Sequence, residues 1–419
     1  MHNSKTLIIL TRGFPYGSGE AFLETELFFL SQNYGKILIF AQTDHIYSEF
    51  NSDEMREVPK NVSVEKINTY KKPTPLKILK NLLLTNFLIS EITHLDIHII
   101  FNKKVIRTAF QYYFKAVHNY NFIKRKINKN RNNLFYSYWS FEEPLTMIML
   151  KNKFKGVCFA RAHGGDVYEQ LQENNYLPFR KIYLKKLDKI FTVSEKGQKH
   201  ITKHNYFINK VAVSKLGTLP GVFNLDKTEN VLKIISIGAL YNIKRIDLLI
   251  NSISLINSIP IRWIHFGTGP DKQEIHTLAK NKLNKVNINY NFEGFINNND
   301  LRSFLNNNYF DVSLNTSSSE GIAVSIMETM SFGIPCIATA VGGTPEIVNN
   351  ENGYLLTENP TPKEVAEKIM QYFWLPTEQK QNKRIHAYQT WNEKHNAEKN
   401  YNFFIKEINS LKFKSVKTE

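Results

Sequence analysis

Apolar and polar positions fall in blocks along the 419-residue chain, and the blocks repeat one order: short apolar run, polar turn, amphipathic stretch. KTLIIL at 5–10 has the length of a buried strand, TRGFPYGSGE is a turn with three glycines, AFLETELFFL is helical in period, and KILIF is a second strand. Runs of the same kind return as LFYSYWSFEEP, VCFARAHGGDVYE, KIFTVSEKG and VAVSKLGT, then as LKIISIGAL, IRWIHFGTGP, VNINYNFEGFI, DVSLN, IPCIAT and GYLL. Continuous apolar runs alternating with helices predict parallel strands covered on both faces, an α/β fold of doubly wound type. One core rarely serves a chain of this length, so two domains are expected. LPGVFNLDKTEN, with Pro220 and Gly221, reads as the linker. That places a first domain at 1–222, a second at 223–390 and a helical tail at 391–419.

The densest pattern runs from 311 to 348. It predicts a strand at 312–314, a turn, a helix at 322–332 with Ile322, Ile326, Met327 and Met330 on one face, and a strand opened by Pro335. Glu320 sits in the turn and Glu328 on the helix. Backbone N–H groups of Gly321, Ile322, Ala323 and Val324 at a helix entry suit a polar, anionic ligand. His163 directly follows a strand, at the edge where α/β sheets carry their sites, with Gly164, Gly165, Asp166 and Arg161 close by in sequence. Lys244 and Arg245 open the helix predicted over YNIKRIDLLINSI, where cations suit a diphosphate.

Glu320 and Glu328, with seven residues between them and SFGIPCIAT and a Gly-Gly pair behind, resemble the E-x7-E signature of retaining GT-B glycosyltransferases. The likeness extends through most of the chain and is nearest to bacterial transferases of capsule, exopolysaccharide and O-antigen assembly. It implies two Rossmann-like doubly wound domains, an inter-domain cleft, and a C-terminal helix that returns to the N-terminal domain. It further implies that Glu320 binds the donor sugar's hydroxyls with Gly321–Val324 assisting, that Glu328 binds the ribose, and that Lys244 holds the departing diphosphate. His163 would contact the transferred sugar. Gly17 and Gly19, with Glu20, would lie under the diphosphate. Ser194 and Gly267 complete the donor contacts, and the backbone at Phe295 and Ile296, after Gly294, would read the base. One position departs: Ala239 stands where the family has arginine, and Arg245 is the candidate substitute.

The two acids are eight positions apart on a turn and helix, which fits two ends of one long ligand better than an acid/base pair across a scissile bond. No Asp-x-Asp triplet occurs, in agreement with metal-independent chemistry. No metal and no cofactor beyond the nucleotide-sugar co-substrate are expected.

Composition changes the picture in one respect. A content of 42% hydrophobic and 13% aromatic residues is that of a folded protein, and Cys158 and Cys336 read as small buried residues of a reducing compartment. The net charge of +16, however, is uneven. Residues 1–222 hold 33 Lys and Arg against 18 Asp and Glu, a net of +15, and residues 223–419 hold 21 against 20, a net of +1. The basic stretch 71–131 fits either helices lying on an anionic bilayer or core-facing helices with a solvated cationic back. No nucleic-acid-binding motif accompanies the charge. The apolar run at 6–10 is too short for a signal peptide, and Glu91, His94, Asp96 and His98 break the stretch at 82–101 as a membrane span.

The leading expectation is a cytoplasmic, peripheral inner-membrane enzyme. It would move a sugar from a nucleotide-diphosphate donor, UDP favoured over GDP on family frequency, to a lipid-diphosphate-linked glycan. A GT-B nucleotide-sugar epimerase and a degenerate glycan- or membrane-binding protein are the alternatives, the latter favoured by Ala239.

Overall fold

Strands of the first half assemble into one parallel sheet: β1 (Asn3–Thr11), β2 (Tyr34–Ala41), β3 (Val62–Lys66), β4 (Asn133–Ser137), β5 (Val157–Ala162), β6 (Lys189–Thr192) and β7 (Val211–Val213). The computed structural model describes all residues except 1–2, 18, 43–54, 71–85, 95–101, 129–131, 204–206, 224, 226–229 and 412–419. The order is β3-β2-β1-β4-β5-β6-β7, with every pairing parallel. Every residue of β4 and β5 is buried. Helices cover both faces of such strands, which is why they read as continuous apolar runs.

The second half repeats the plan with β8 (Leu232–Ile237), β9 (Ile261–Phe266), β10 (Ile288–Gly294), β11 (Val312–Asn315), β12 (Cys336–Thr339) and β13 (Gly353–Leu356), in the order β10-β9-β8-β11-β12-β13. Its core gathers Leu249, Ile250 and Ile253 of one helix, Val365 and Ile369 of another, and Trp263 of β9.

The chain divides into two compact units, Met1–Ser214 with Tyr401–Glu419, and Lys215–Asn400. The division falls ahead of LPGVFNLDKTEN because the backbone before it is already tied into the second unit. Thr218 exchanges backbone hydrogen bonds with His395 and Ala397, at 3.0 and 3.1 Å, and the Trp391 indole N–H donates to Thr218 Oγ1 at 2.8 Å. The tail is two helices, Thr377–Lys394 and Ala397–Ser410, broken at His395, in place of one helix from Trp391. In the first unit, Phe404 packs on Tyr136, Phe159 and Phe191.

The basic helix Lys103–Ile123 directs Val105, Ala109, Tyr113, Ala116, Val117 and Ile123 into the core and leaves Lys103, Lys104 and Arg107 exposed. Here the core-facing alternative holds, and the apolar side is not available to a bilayer. Residues 71–85 of the other basic stretch lie outside the described residues. Among the described residues no helix is long and apolar enough to cross a membrane. Cys158 and Cys336 are buried and unpaired.

Candidate active site

Each sheet reverses its strand order once, between β1 and β4 in the first unit and between β8 and β11 in the second. Ligands of doubly wound folds bind at the carboxyl ends of the strands flanking such a reversal.

In the second unit that edge brings Lys244 and Glu320 together. Lys244 Nζ lies 2.6 Å from Glu320 Oε1, with the side chains 28% and 10% exposed. The helix predicted over YNIKRIDLLINSI does not include Lys244. Asn242–Lys244 is a single 3-10 turn, Arg245 adopts a left-handed φ of 49°, and the helix starts at Ile246. The Arg245 guanidinium accounts for the break. It donates to Thr316 O (2.6 Å), Ser317 O (2.8 Å), Glu358 O (2.9 Å) and Asn359 Oδ1 (3.2 Å). Arg245 therefore straps two loops together, which differs from the diphosphate contact expected of it. Burial lowers its pKa from the ordinary arginine value.

The Gly-Gly pair packs closely against the backbone of Glu320 and Gly321. Gly342 has φ +52°, and a Cβ there would stand 1.7 Å from Glu320 O. Gly343 N–H donates to Gly321 O at 2.7 Å. This contact keeps 321–323 out of the helix, which runs over Val324–Met330 and not 322–332, with Ala323 extended at φ −67°, ψ 118°. Glu328 is half-buried on that helix, and Ile326, Met327 and Met330 face the core. Gly267 is a close-approach glycine, since a Cβ there would meet Gly238 O at 1.8 Å. Beyond Gly294 (φ +78°), Phe295 is exposed and Ile296 packs on the core containing Ile235 and Phe266.

In the first unit His163 emerges directly after β5. Asp166 fixes its turn: Oδ1 accepts the N–H groups of His163 (2.7 Å) and Gly164 (3.0 Å), and Oδ2 accepts Ser140 N–H (2.9 Å). Burial would raise the Asp166 carboxyl, but His163 and these backbone donors hold it below the ordinary carboxylate value. The imidazole itself is buried, and neither ring nitrogen has a hydrogen-bond partner. Nδ1 is 3.9 Å from Asp166 Oδ2, too far for a hydrogen bond.

Arg161, close to His163 in sequence, is spent elsewhere. It is fully buried, paired with Glu26 (3.1 Å), and bonded to Tyr136 Oη (3.0 Å) and Ser214 O (2.7 Å). Ser194 caps the helix Glu195–Ile201, its Oγ accepting Gly197 N–H at 3.0 Å. Gly17 has φ +66°, and Gly19 is exposed, its carbonyl accepting from Arg56 Nη2 at 2.5 Å.

Three features escaped the sequence reading. Arg12 pairs with Glu143 (2.8 Å) and Glu142 (3.1 Å), and Lys115 reaches Glu142 at 2.7 Å, all beside the β1/β4 reversal. Glu20 folds the first glycine loop with its carboxylate. Trp139 packs against His163, with ring centroids 4.5 Å apart and the planes tilted by 45°. The pairing of Arg12 with Glu142 spans 130 positions and has no local signal, whereas Glu20 in a glycine loop was visible without a partner. Among the described residues no group of three His, Cys, Asp or Glu is placed to hold a metal ion.

The family described as glycosyl transferases, group 1, matches residues 222–390. That span contains Lys244, Glu320 and Glu328. The chain is 26% identical over 230 residues to the putative colanic acid biosynthesis glycosyltransferase WcaL of Escherichia coli, a match covering 52% of this chain and 55% of that protein. It is also 26% identical over 211 residues to the UDP-N-acetylglucosamine–peptide N-acetylglucosaminyltransferase GtfA subunit of Streptococcus agalactiae, covering 48% and 40%. The chain thus spans about half the length of these curated relatives. Among solved structures, Anabaena HepE in complex with UDP-glucose superposes with a TM-score of 0.63 over 97% of this chain and 100% of its own, at 14% identity. TarM superposes at 0.66, covering 97% and 99%, also at 14% identity. The fold is accordingly GT-B: two Rossmann-like, doubly wound domains.

Proposed function

We propose that the protein is a retaining, metal-independent glycosyltransferase. It would move a sugar from a nucleotide-diphosphate donor, a UDP-sugar by preference, to a lipid-diphosphate-linked glycan in cell-surface polysaccharide synthesis. The observation that carries this reading is the Lys244–Glu320 pair at 2.6 Å on the β8/β11 reversal, with Glu328 on the following helix inside the group 1 glycosyl transferase match. The similarity to WcaL, a putative colanic acid biosynthesis glycosyltransferase, supports the polysaccharide part of this reading, and the fold shared with HepE, which holds UDP-glucose, supports the donor.

In this reading the donor replaces Glu320 as the partner of Lys244. The ammonium then neutralises charge growing on the departing diphosphate, a stabilisation that is greatest in the transition state. Glu320, released from the lysine, accepts hydrogen bonds from the sugar's hydroxyls, and Glu328 accepts those of the ribose. The leaving phosphate oxygen takes the proton of the acceptor hydroxyl. The +15 of residues 1–222 supports an acceptor presented at an anionic membrane, by surface attraction alone where the Lys103–Ile123 helix is concerned.

A second reading, a binding protein without turnover, is favoured by Ala239 and by the four acceptors that occupy Arg245. The two separate in one experiment. Thermal shifts with UDP, GDP and ADP in EDTA, for the native protein and Glu328→Ala, read the donor site, since a ligand at a hundred times its Kd adds about 2.7 kcal/mol. UDP-sugars are then offered with extracted lipid-linked glycan, and the anomeric configuration of the product is read by NMR. A shift lost in Glu328→Ala together with a retained anomer supports the proposal. A shift without any transfer, or no shift with any nucleotide, overturns it in favour of the glycan- or membrane-binding protein.

A further inference from the structure

The first glycine loop is closed by a carboxylate of its own chain. Glu20 Oε2 accepts the N–H groups of Gly13 (2.8 Å) and Phe14 (2.7 Å), and Oε1 accepts Arg12 N–H (3.1 Å) and the Trp139 indole N–H (2.6 Å). Three successive backbone N–H groups therefore converge on one buried side chain, in the manner of an anion nest. Glu20 makes these bonds from φ +56°, a left-handed conformation that a non-glycine residue keeps only where its surroundings enforce it. Arg56 braces the loop from outside through Pro15 O and Gly19 O.

Trp139 has a single donor, and it is committed to Glu20. The indole is thereby fixed, and it is the nearest of the rings around His163, tilted by 45° with centroids 4.5 Å apart. Tyr138 and Phe22 complete the surround at 5.0 and 5.3 Å. No hydrogen bond orients the imidazole: both nitrogens are buried without a partner, and only 7% of the residue is exposed. Leaving such a group unpaired is costly unless something polar arrives to bond it. Asp166 holds the backbone of His163 and faces its Nδ1 from 3.9 Å, an ion-pair distance beyond hydrogen-bond reach, so the closest contacts on the ring are aromatic.

We propose that Glu20 is a positioning residue which, through Trp139, sets the orientation of the His163 imidazole and keeps its nitrogens available to a hydroxyl of the sugar substrate. The part concerning the substrate rests on the transferase reading above; the part concerning orientation does not. Glu20 thus has a role distinct from the donor-diphosphate loop that the glycines suggested.

The orientation is tested by NMR of protein labelled with 13C in its histidine rings, with the His163 signal identified by its loss in His163→Ala. The signal should be displaced by the ring current of Trp139, and should move in both Glu20→Gln and Trp139→Phe. Trp139→Phe removes only the donor and part of the ring, so it remains informative if Glu20→Gln fails to fold. Turnover of a UDP-sugar gives the second arm. Trp139→Phe should lower kcat about tenfold with the donor KM changed less than about twofold. In a His163→Ala background the same change should cost nothing further, because both substitutions remove one function. An unmoved His163 signal in folded Glu20→Gln, where the indole is kept, overturns the proposal. So does a cost that is fully additive to that of His163→Ala. If no UDP-sugar is turned over, the transferase reading fails and the NMR arm alone decides the orientation.

Discussion

The two units place an ion pair at the same topological point, with cations of similar exposure, 22% for Arg12 and 28% for Lys244, but with different bonding around them. At the β1/β4 reversal, Arg12 is held by Glu142 and Glu143, Lys115 also reaches Glu142, and Gln42 and the backbone of Phe141 bond Glu143. The carboxylates are 3% and 0% exposed. At the β8/β11 reversal, the Lys244 ammonium meets one carboxylate, and the lysine is 28% exposed. The first edge is a closed network whose charges answer one another. The second is a single, partly exposed pair, which in the proposed function a diphosphate opens by offering Lys244 more negative charge than Glu320 does. Strand order alone nominates two sites, and the difference in bonding is the ground for proposing the first edge as scaffold and the second as binding surface.

The largest effect should come from breaking the second pair. Glu320→Ala is expected to lower kcat/KM for sugar transfer by about 10³-fold, and Lys244→Ala by about 10²-fold, with far-ultraviolet circular dichroism unchanged. Undiminished turnover in Glu320→Ala would remove that residue from the chemistry. Breaking the first pair should act on stability instead. Arg12→Leu leaves two buried carboxylates without their arginine and should cost about 3 kcal/mol, read as a lower urea midpoint. A loss of UDP binding in that variant, with stability intact, would reverse the assignment of scaffold and site.

Arg245 sharpens the contrast within the second unit. Replacing it with Leu removes a strap to Thr316, Ser317, Glu358 and Asn359 and should cost about 2 kcal/mol, part of the strap being exposed. The Kd for UDP, from calorimetry, should change less than about threefold. A loss of affinity matching that of Lys244→Ala would make Arg245 the stand-in for the arginine missing at Ala239.

These residues also mark what the sequence made legible. Runs such as LFYSY and VCFARA were readable as parallel strands because burial on both faces leaves no alternation to find. The sheet-edge positions of His163, Lys244, Glu320 and Gly342 were readable because each follows a strand or a turn with its own local signature. The states of those residues were not. The acceptors of Arg245 lie 71 to 114 positions away, so its strap to two loops left no trace beside a cation at a predicted helix start. Helix propensity carried 322–332 too far at its start, because the Gly343–Gly321 bond that holds the turn open is tertiary. The capping bond of Ser194 and the buried pairing of Arg161 were hidden in the same way: residue type and edge position were visible, and partners were not.

The smallest expected effect is a difference in how the units respond to mild acid. His265 and His395, both in the second unit, are buried, and burial lowers their pKa values to about 4 and about 3. His265 keeps Nδ1 within 2.8 Å of Ser236 Oγ, and His395 keeps Nδ1 within 3.3 Å of Leu216 O. In the unfolded chain each titrates near the ordinary histidine value of about 6.5. Folded values below the unfolded one mean that the unfolded state binds more protons as pH falls. The stabilisation is therefore complete above about pH 6.5 and is lost progressively toward the folded pKa. Between about pH 7.5 and 6 each histidine should cost about 1 kcal/mol at most. The first unit's Arg12 and Arg161, with pKa values raised by Glu143 and Glu26 against the opposing effect of burial, stay charged throughout that window. Hydrogen exchange, corrected for the intrinsic pH dependence of the chemistry, should show peptides of β8 and β9 losing protection between these pH values while peptides of β1 and β4 keep theirs. His265→Gln and His395→Gln together should flatten the response of the second unit. If both sheets weaken equally, or the double variant keeps the full pH slope, the buried histidines do not set the acid response and the two units are alike in this respect.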